Sequence, residues 1–292
     1  MPYQNSWDVA FKDKPAIDPD HWLCLEKGSK DKTMRAVDLL APIGKGQRGL
    51  IVSPPKAGKT ILLKELCKTF ARIEPEMKLY CFLADERPEE VTDFKREVTA
   101  QVFASSSDRA QEEHTAMAQE VMAKASAEAA SGADVAIFLD SLTRLSRAHN
   151  VASNSRRTLS GGLDSRAMEI PRKFFGAARK LEGGGSLTIL ATILVDTGSR
   201  MDEVIFQEFK GTGNMELVLS RPAAEARLFP AINVRSTGTR KEEKILPEET
   251  LQGVWKLRRV LSSLPDLEAT RKLIELLEEY PTNQQLLKFL FG

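Results

Sequence analysis

The sequence predicts an α/β fold, a mostly parallel sheet flanked by helices and followed by a helical tail. Three observations lead there. From Gly49 onward, short apolar runs alternate with stretches of helical period, the pattern of strands joined through covering helices. Three of those runs end on polar residues, at Ser53, at Asp85-Glu86 and at Asp140, and ligands of open α/β sheets bind beyond such strand ends. The first run passes straight into Ser53-Pro-Pro-Lys-Ala-Gly-Lys-Thr60, a loop of phosphate-binding type.

Taken in order, residues 49–52 form a buried strand, and Thr60 opens a helix with Leu62, Leu66, Phe70 and Ile73 on one face. Residues 79–84 form a second strand ending on Asp85-Glu86-Arg87-Pro88, where Pro88 suits the first turn of a helix through Phe94. An alanine-rich polar helix over about 109–130 stops at Gly132, and residues 134–140 are a third buried strand. The segment 150–165 is rich in Ser, Arg, Asn and Gly, lacks an apolar period and is a loop. A helix over about 166–181 ends in Gly183-Gly184-Gly185, a strand spans 186–195, and a second polar loop follows at Asp196-Thr-Gly-Ser-Arg200. Strands at 215–219 and 229–234 precede a helical tail from about Glu248, whose apolar face suits docking. The expected division is an N-terminal extension or linker (1–38), a core (39–245) and a helical C-terminal subdomain (246–292).

A chain of 292 residues, 42% hydrophobic and 28% charged, is expected to fold as one principal domain. Its net charge of +1 makes it no general magnet for nucleic acid or anionic membrane, so any nucleic-acid grip must be local. The longest apolar run, 187–195, falls short of the roughly 20 residues that span a bilayer. Asp8, Lys12, Asp13 and Lys14 stand where a signal peptide needs an apolar stretch. A cytoplasmic protein with no membrane partner is expected. Cys24, Cys67, Cys81, His21, His114 and His149 lack metal-ligand spacing, which argues against a metal cage and a Cys/His nucleophile.

The loop at 53–60 departs from the Walker A pattern only in carrying Ser53 where the first glycine usually stands. Between a strand and a helix, its backbone N–H groups and the helix N-terminus face phosphate oxygens. Lys59 is expected to neutralise the outer phosphates and the Thr60 hydroxyl to ligate magnesium, while Gly58 lets the backbone come close. Pro55, Lys56, Ala57 and Ile61 complete the nucleotide-binding stretch. Asp140, at the end of an apolar strand, is the expected second magnesium ligand, of Walker B type. Glu86 is placed to orient or deprotonate a water that attacks the terminal phosphate. The ligands expected are ATP and Mg²⁺.

Longer segments carry a resemblance. Pro42-Ile-Gly-Lys-Gly-Gln-Arg-Gly-Leu-Ile-Val52, Asp85-Glu-Arg-Pro-Glu-Glu-Val-Thr92, Asp140-Ser-Leu-Thr-Arg-Leu145, Glu208-Phe-Lys-Gly-Thr-Gly-Asn-Met-Glu216 and Gly238-Thr-Arg-Lys-Glu-Glu243 keep order and spacing. From about Leu39 to Glu243 the chain resembles the motor domain of the Rho family of bacterial transcription termination factors, which is RecA-like.

The resemblance implies a hexameric ring that hydrolyses ATP at subunit interfaces and draws single-stranded RNA through its pore. By position, Phe229 matches the residue stacked on adenine. Arg240 and Arg227 match arginines that a neighbouring subunit sets against the terminal phosphate, and Arg87 and Arg144 match links between pocket and pore. Arg156, Arg157, Thr158, Ser160 and Gly161 match one pore loop, and Gly198, Ser199 and Arg200 the other. Arg157 and Arg200 stand where the family usually has lysine, so the grip on phosphate is more rigid.

Only about forty residues precede the matching block, too few for the OB-type RNA-loading fold of this family, so a naturally short relative or a motor-only fragment is expected. The implied partners are RNA, copies of the same chain or full-length Rho in a mixed ring, and RNA polymerase. The apolar stretch 264–290 offers a partner-docking alternative for the tail. The competing function is an ATP-binding regulatory subunit that co-assembles without terminating transcription. A rotary ATP synthase subunit or a DNA recombinase fits the Asp85–Pro88 and Gly238–Arg240 blocks less well.

Overall fold

The computed structural model describes residues 6–106, 111–152, 160–164 and 167–290. Strand parity builds its core. In β2 (Arg48–Ser53) and β3 (Lys78–Glu86), Ile51, Cys81 and Leu83 face one layer, whereas Leu50, Val52, Tyr80 and Phe82 face the other. Successive strand side chains point to opposite faces, so a run buried on both sides must be apolar throughout. The same holds for β5 (Asp134–Asp140) and β7 (Ser186–Leu194).

Six strands run parallel in the order β4-β3-β5-β7-β2-β8, with β4 at Gln101–Ser106 and β8 at Met215–Val218. Three short strands join antiparallel: β9 (Gly238–Thr239) on β8, β6 (Arg179–Leu181) on the start of β7, and β1 (Ala16–Ile17) on β6. One layer holds α2 (Lys32–Leu40), α3 (Lys59–Ile73) and the tail helices α10 (Glu248–Ser262), α11 (Asp266–Glu279) and α12 (Asn283–Phe289). The other holds α5 (Gln111–Ala130), α6 (Leu142–Ala152), α7 (Glu169–Gly176) and α8 (Arg200–Lys210), with Trp7 of α1 (Ser6–Ala10) buried beside them. The first layer also takes α4 (Pro88–Glu97) after β3 through Val91 and Phe94, while α9 (Arg221–Glu225) after β8 packs in a small cluster of its own.

Several expectations change. The helix expected over 166–181 ends at Gly176, and Arg179–Leu181 is strand. Gly183-Gly184-Gly185 is therefore a hairpin turn rather than a helix stop; Gly183 has φ +64°, and a Cβ on Gly185 would collide with the Ala133 carbonyl. The strand expected over 229–234 shrinks to one bridge, Leu219 to Ile232, because Pro230 has no N–H to give a ladder. The loop expected from 150 begins later, since α6 continues to Ala152.

The tail's apolar face is turned inward. Leu251, Leu257, Leu273 and Leu277 share a cluster with Leu25 and Met34, and Arg35 donates to Leu277 O at 2.8 Å and Tyr280 O at 2.7 Å. The apolar stretch proposed for a partner thus covers the protein's own core. Among the described residues, no helix is long and apolar enough to cross a membrane.

Candidate nucleotide site

The phosphate loop leaves β2 at Ser53 and enters α3 at Lys59. Two of its residues need left-handed backbone, Lys56 at φ +63° and Gly58 at φ +93°. Among the described residues, nothing lies within 4 Å of where a Cβ on Gly58 would stand, so open space faces the backbone at the helix N-terminus. Pro55 and Lys56 are exposed on the outer side of the turn, and Ala57 is buried beneath it.

Three charges converge beside this turn. Lys59 Nζ lies 2.7 and 2.6 Å from the two Asp140 oxygens and 3.2 Å from Glu86 Oε1. The two carboxylates come from the C-terminal ends of neighbouring strands, and both are buried, at 0% and 2% exposure. Asp140 also accepts from the Thr192 hydroxyl at 2.7 Å. Glu86 owes its aim to a β-bulge: the β3–β4 register shifts between Ala84 and Glu86, and Asp85 takes φ +56°.

Burial alone would pull the Lys59 ammonium down, but Asp140 and Glu86 hold it above the ordinary lysine value. Burial, then the Asp140 charge, push the Glu86 carboxyl above its usual range, against the pull of Lys59 and Arg144. Among the described residues, Glu86 Oε2 has no hydrogen-bond partner; Arg144 Nη1 stands 3.4 Å from it and donates to the Asp85 carbonyl. A buried carboxylate with one unengaged oxygen and a raised pKa can order a water and take its proton.

Among the described residues, no three His, Cys, Asp or Glu side chains group to cage a metal ion. The donors nonetheless suit magnesium, which keeps most of its shell for water and phosphate oxygens. The Lys59 ammonium lies 3.5 Å from the Thr60 hydroxyl and within 3 Å of Asp140, so one cation already bridges the two expected ligands.

Beside Gly58 a cleft of about 140 Å³ is lined by Ala57, Ile61, Leu62, Leu219 and Phe229. Ile61 and Phe229 are 73% and 51% exposed. Two large apolar side chains held open to solvent at a cleft mouth are suited to sandwich a flat ring.

The other expected residues fall in three places. Arg87, exposed, precedes α4, and Arg227, exposed with φ +56°, follows α9. Arg240 follows β9 at the level of Met215, which pairs with Gly49 at the start of β2, so it lies at the opposite end of the sheet from Ser53. It does not join its own subunit's pocket. Arg156, Arg157 and Thr158 lie outside the described residues, while Ser160 and Gly161 belong to a 3-10 turn. Arg200, exposed, is the first residue of α8.

The two polar loops touch. A Cβ on Gly161, whose φ is +74°, would stand 2.9 Å from the Met201 amide and 3.0 Å from the Arg200 carbonyl group.

Sequence reasoning named Arg144 of α6 but missed Arg147 and Asn150 on the same helix. Arg144 in its first turn meets Asp85 and Glu86. Arg147 pairs through two bonds, 2.8 and 2.6 Å, with buried Asp202, which also accepts from Thr197. Asn150 donates to Gly162 O and accepts from the Asp164 amide. The spacing Arg144, Arg147, Asn150 was the available signal.

Residues 33–237 match the model of the ATP synthase alpha/beta family, nucleotide-binding domain. The chain is 53% identical over 280 residues to the transcription termination factor Rho of Micrococcus luteus, covering 96% of this chain and 40% of that one. It is 50% identical over 281 residues to that of Pseudomonas aeruginosa, covering 95% and 67%, and 50% identical over 283 residues to that of Bacillus subtilis, covering 97% and 66%. The chain therefore spans 40% to 67% of the length of these relatives. Among solved structures, a prototypical ATPase from the type III secretion system of pathogenic bacteria shares the fold, with a TM-score of 0.74, 20% identity and coverage of 94% and 86%. The assembled ATPase EscN from the enteropathogenic E. coli type III secretion system matches with the same TM-score and identity, covering 94% and 72%.

Proposed function

The chain belongs to the Rho transcription termination factor family, on the nucleotide-binding domain of the ATP synthase alpha/beta family, and from that premise we propose that it is an ATP-hydrolysing motor that moves along single-stranded RNA. The observation that carries this reading is the convergence of Lys59, Glu86 and Asp140 beside the open turn at Gly58.

ATP enters with its base between Phe229 and Ile61 and its phosphates against the amides of residues 55–60. Lys59 then leaves the carboxylates for the outer phosphates. Thr60 and Asp140 would hold magnesium, which would supply charge neutralisation at the phosphate oxygens. Glu86 orders the attacking water and accepts its proton. Arg240, remote from its own pocket, reaches the pocket of a neighbouring copy, where its charge stabilises the transition state. Arg227 serves the same interface, and Arg87 and Arg144 carry the state of the pocket toward the RNA loops. Those loops, with Arg156, Arg157, Thr158, Ser160, Gly161 and Arg200, follow the sugar-phosphate track without reading bases. The assembly is a ring of six copies, or a mixed ring with full-length Rho, that acts in transcription termination alongside RNA polymerase.

The test is steady-state ATP turnover with and without poly(C). Turnover should rise with RNA, fall with salt, and drop by about 10² or more in Glu86→Gln and in Arg240→Ala. Hydrolysis indifferent to RNA and to loss of Arg240 would remove the ring-motor reading.

A further inference from the structure

Arg240 projects from a short segment that is braced on both sides. Before it, the Thr239 hydroxyl donates to Pro42 O at 2.8 Å, and the Arg240 amide donates to Asn214 O at 2.9 Å. After it, Lys241 takes φ +56° and reaches both Asp18 oxygens, at 3.0 and 2.9 Å. Glu242 then turns into the protein and is 7% exposed. Its Oε1 accepts from Trp255 Nε1 at 2.9 Å and Arg258 Nη1 at 3.0 Å, while Arg258 Nη2 lies 2.9 Å from Oε2. Arg258 is fixed in turn to the end of α2, donating to Leu40 O at 2.6 Å and Leu39 O at 3.3 Å.

A buried ion pair is weak ground for stability, because desolvation offsets much of the attraction. What it supplies is a fixed geometry, here two residues from an exposed arginine. A long side chain that must meet a transition state in another molecule gains most from a rigid point of departure, since errors of about 1 Å cost about 10² in rate.

We propose that Glu242, held by Arg258 and Trp255 of α10, is a positioning residue that sets the angle at which Arg240 reaches the nucleotide of a neighbouring copy. This rests on the in-trans role given to Arg240 above. It makes α10, the first of the tail helices, part of the catalytic geometry of the next subunit.

The experiment compares Glu242→Gln and Trp255→Phe in the full chain by thermal melting, affinity for a fluorescent ATP analogue, steady-state turnover, and activity of rings mixed with Glu86→Gln chains. Glutamine keeps the shape but removes the charge opposite Arg258; phenylalanine removes the indole N–H together with part of the ring. Glu242→Gln should lose at least tenfold in kcat with analogue affinity within twofold of the parent. Trp255→Phe should lose severalfold in the same way.

Mixing Glu242→Gln with Glu86→Gln should restore turnover, because at one class of interface a well-held Arg240 meets a pocket with its glutamate intact. Parental kcat in both folded variants overturns the proposal. So does a loss that mixing fails to restore while Arg240→Ala mixed with Glu86→Gln is restored, since the defect would then lie in the variant's own pocket. If Arg240→Ala is itself not restored, the in-trans reading fails and takes the positioning role with it. Should Glu242→Gln not fold, Trp255→Phe decides by the same measures.

Discussion

Lys59 sits between two buried carboxylates, and this fixes how the pocket responds to substitution. Removing one partner of a buried pair leaves the other charge uncompensated, at a cost of about 3–5 kcal/mol. Lys59→Met should therefore destabilise the nucleotide-free protein by about 3 kcal/mol as well as abolish turnover. Asp140→Asn combined with it should recover part of that loss, because the buried charge left behind is then smaller. Urea denaturation of the two single variants and the double variant measures the coupling; strictly additive losses would show that the three groups do not support one another. Arg147 and Asp202 carry a similar asymmetry. Asp202 is 1% exposed and Arg147 is half in solvent, so Arg147→Leu, which strands the buried carboxylate, should cost more stability than Asp202→Asn.

At the scale of elements, α6 places the pocket and both polar loops on one rigid rod. Arg144, Arg147 and Asn150 reach the β3 bulge, Asp202 in the first turn of α8 and the 3-10 turn in succession. Gly161 is where the two loops meet without a side chain between them. Gly161→Ala adds a methyl group at positive φ against the Arg200–Met201 backbone, so it should displace the start of α8. The expected outcome is loss of RNA-stimulated turnover with unchanged ATP affinity, read from turnover with and without poly(C). The buried side of the same helix gives a pH signature. Burial pushes His149 down to about 4, below the roughly 6.5 of an unfolded chain. The unfolded state therefore takes up the proton first, and the stability present above pH 6.5 is lost as pH falls toward 4, by roughly 3 kcal/mol. Asp38 acts in the opposite sense. Burial raises its carboxyl to about 7, so its share of stability falls as pH rises from 4 to 7. The His149 contribution is isolated by comparing urea midpoints of the parent and His149→Leu across pH 7 to 4, where only the parent should show the steep acid loss.

For the whole molecule, legibility in the sequence followed burial. β2, β3, β5 and β7 are buried on both faces, with Thr188 and Thr192 as buried polar residues in β7, and their runs in the sequence matched the observed strands to within two residues at each end. β4 was passed over because only Phe103 and Ser105 in it are buried and half of its residues are polar. β6 reads as helix in the sequence because the run through Arg179-Lys-Leu181 has no strand alternation of its own; its partner β7 decides its state. The pocket was legible because the phosphate loop, Glu86 and Asp140 each end an apolar strand. The Arg147 and Asn150 contacts of α6 and the Glu242 clamp were not, because they join side chains far apart in the chain, as Glu242 to Leu40 through Arg258. Long-range closure of this kind also decides what the tail is for. Arg35 is buried with its guanidinium donating to Leu277 O, Tyr280 O and Asn283 Oδ1. Deleting 265–292 would strip three acceptors from a buried charge and uncover Leu25, Met34 and Val37 at once. Unsatisfied buried charge and a large exposed apolar face both drive unfolding and association. The truncated chain should therefore lose its cooperative melt and bind a hydrophobic dye, rather than persist as a folded ATPase. A sharp thermal transition with ATP affinity intact in 1–264 would show instead that the tail is dispensable to the body and free to serve another molecule.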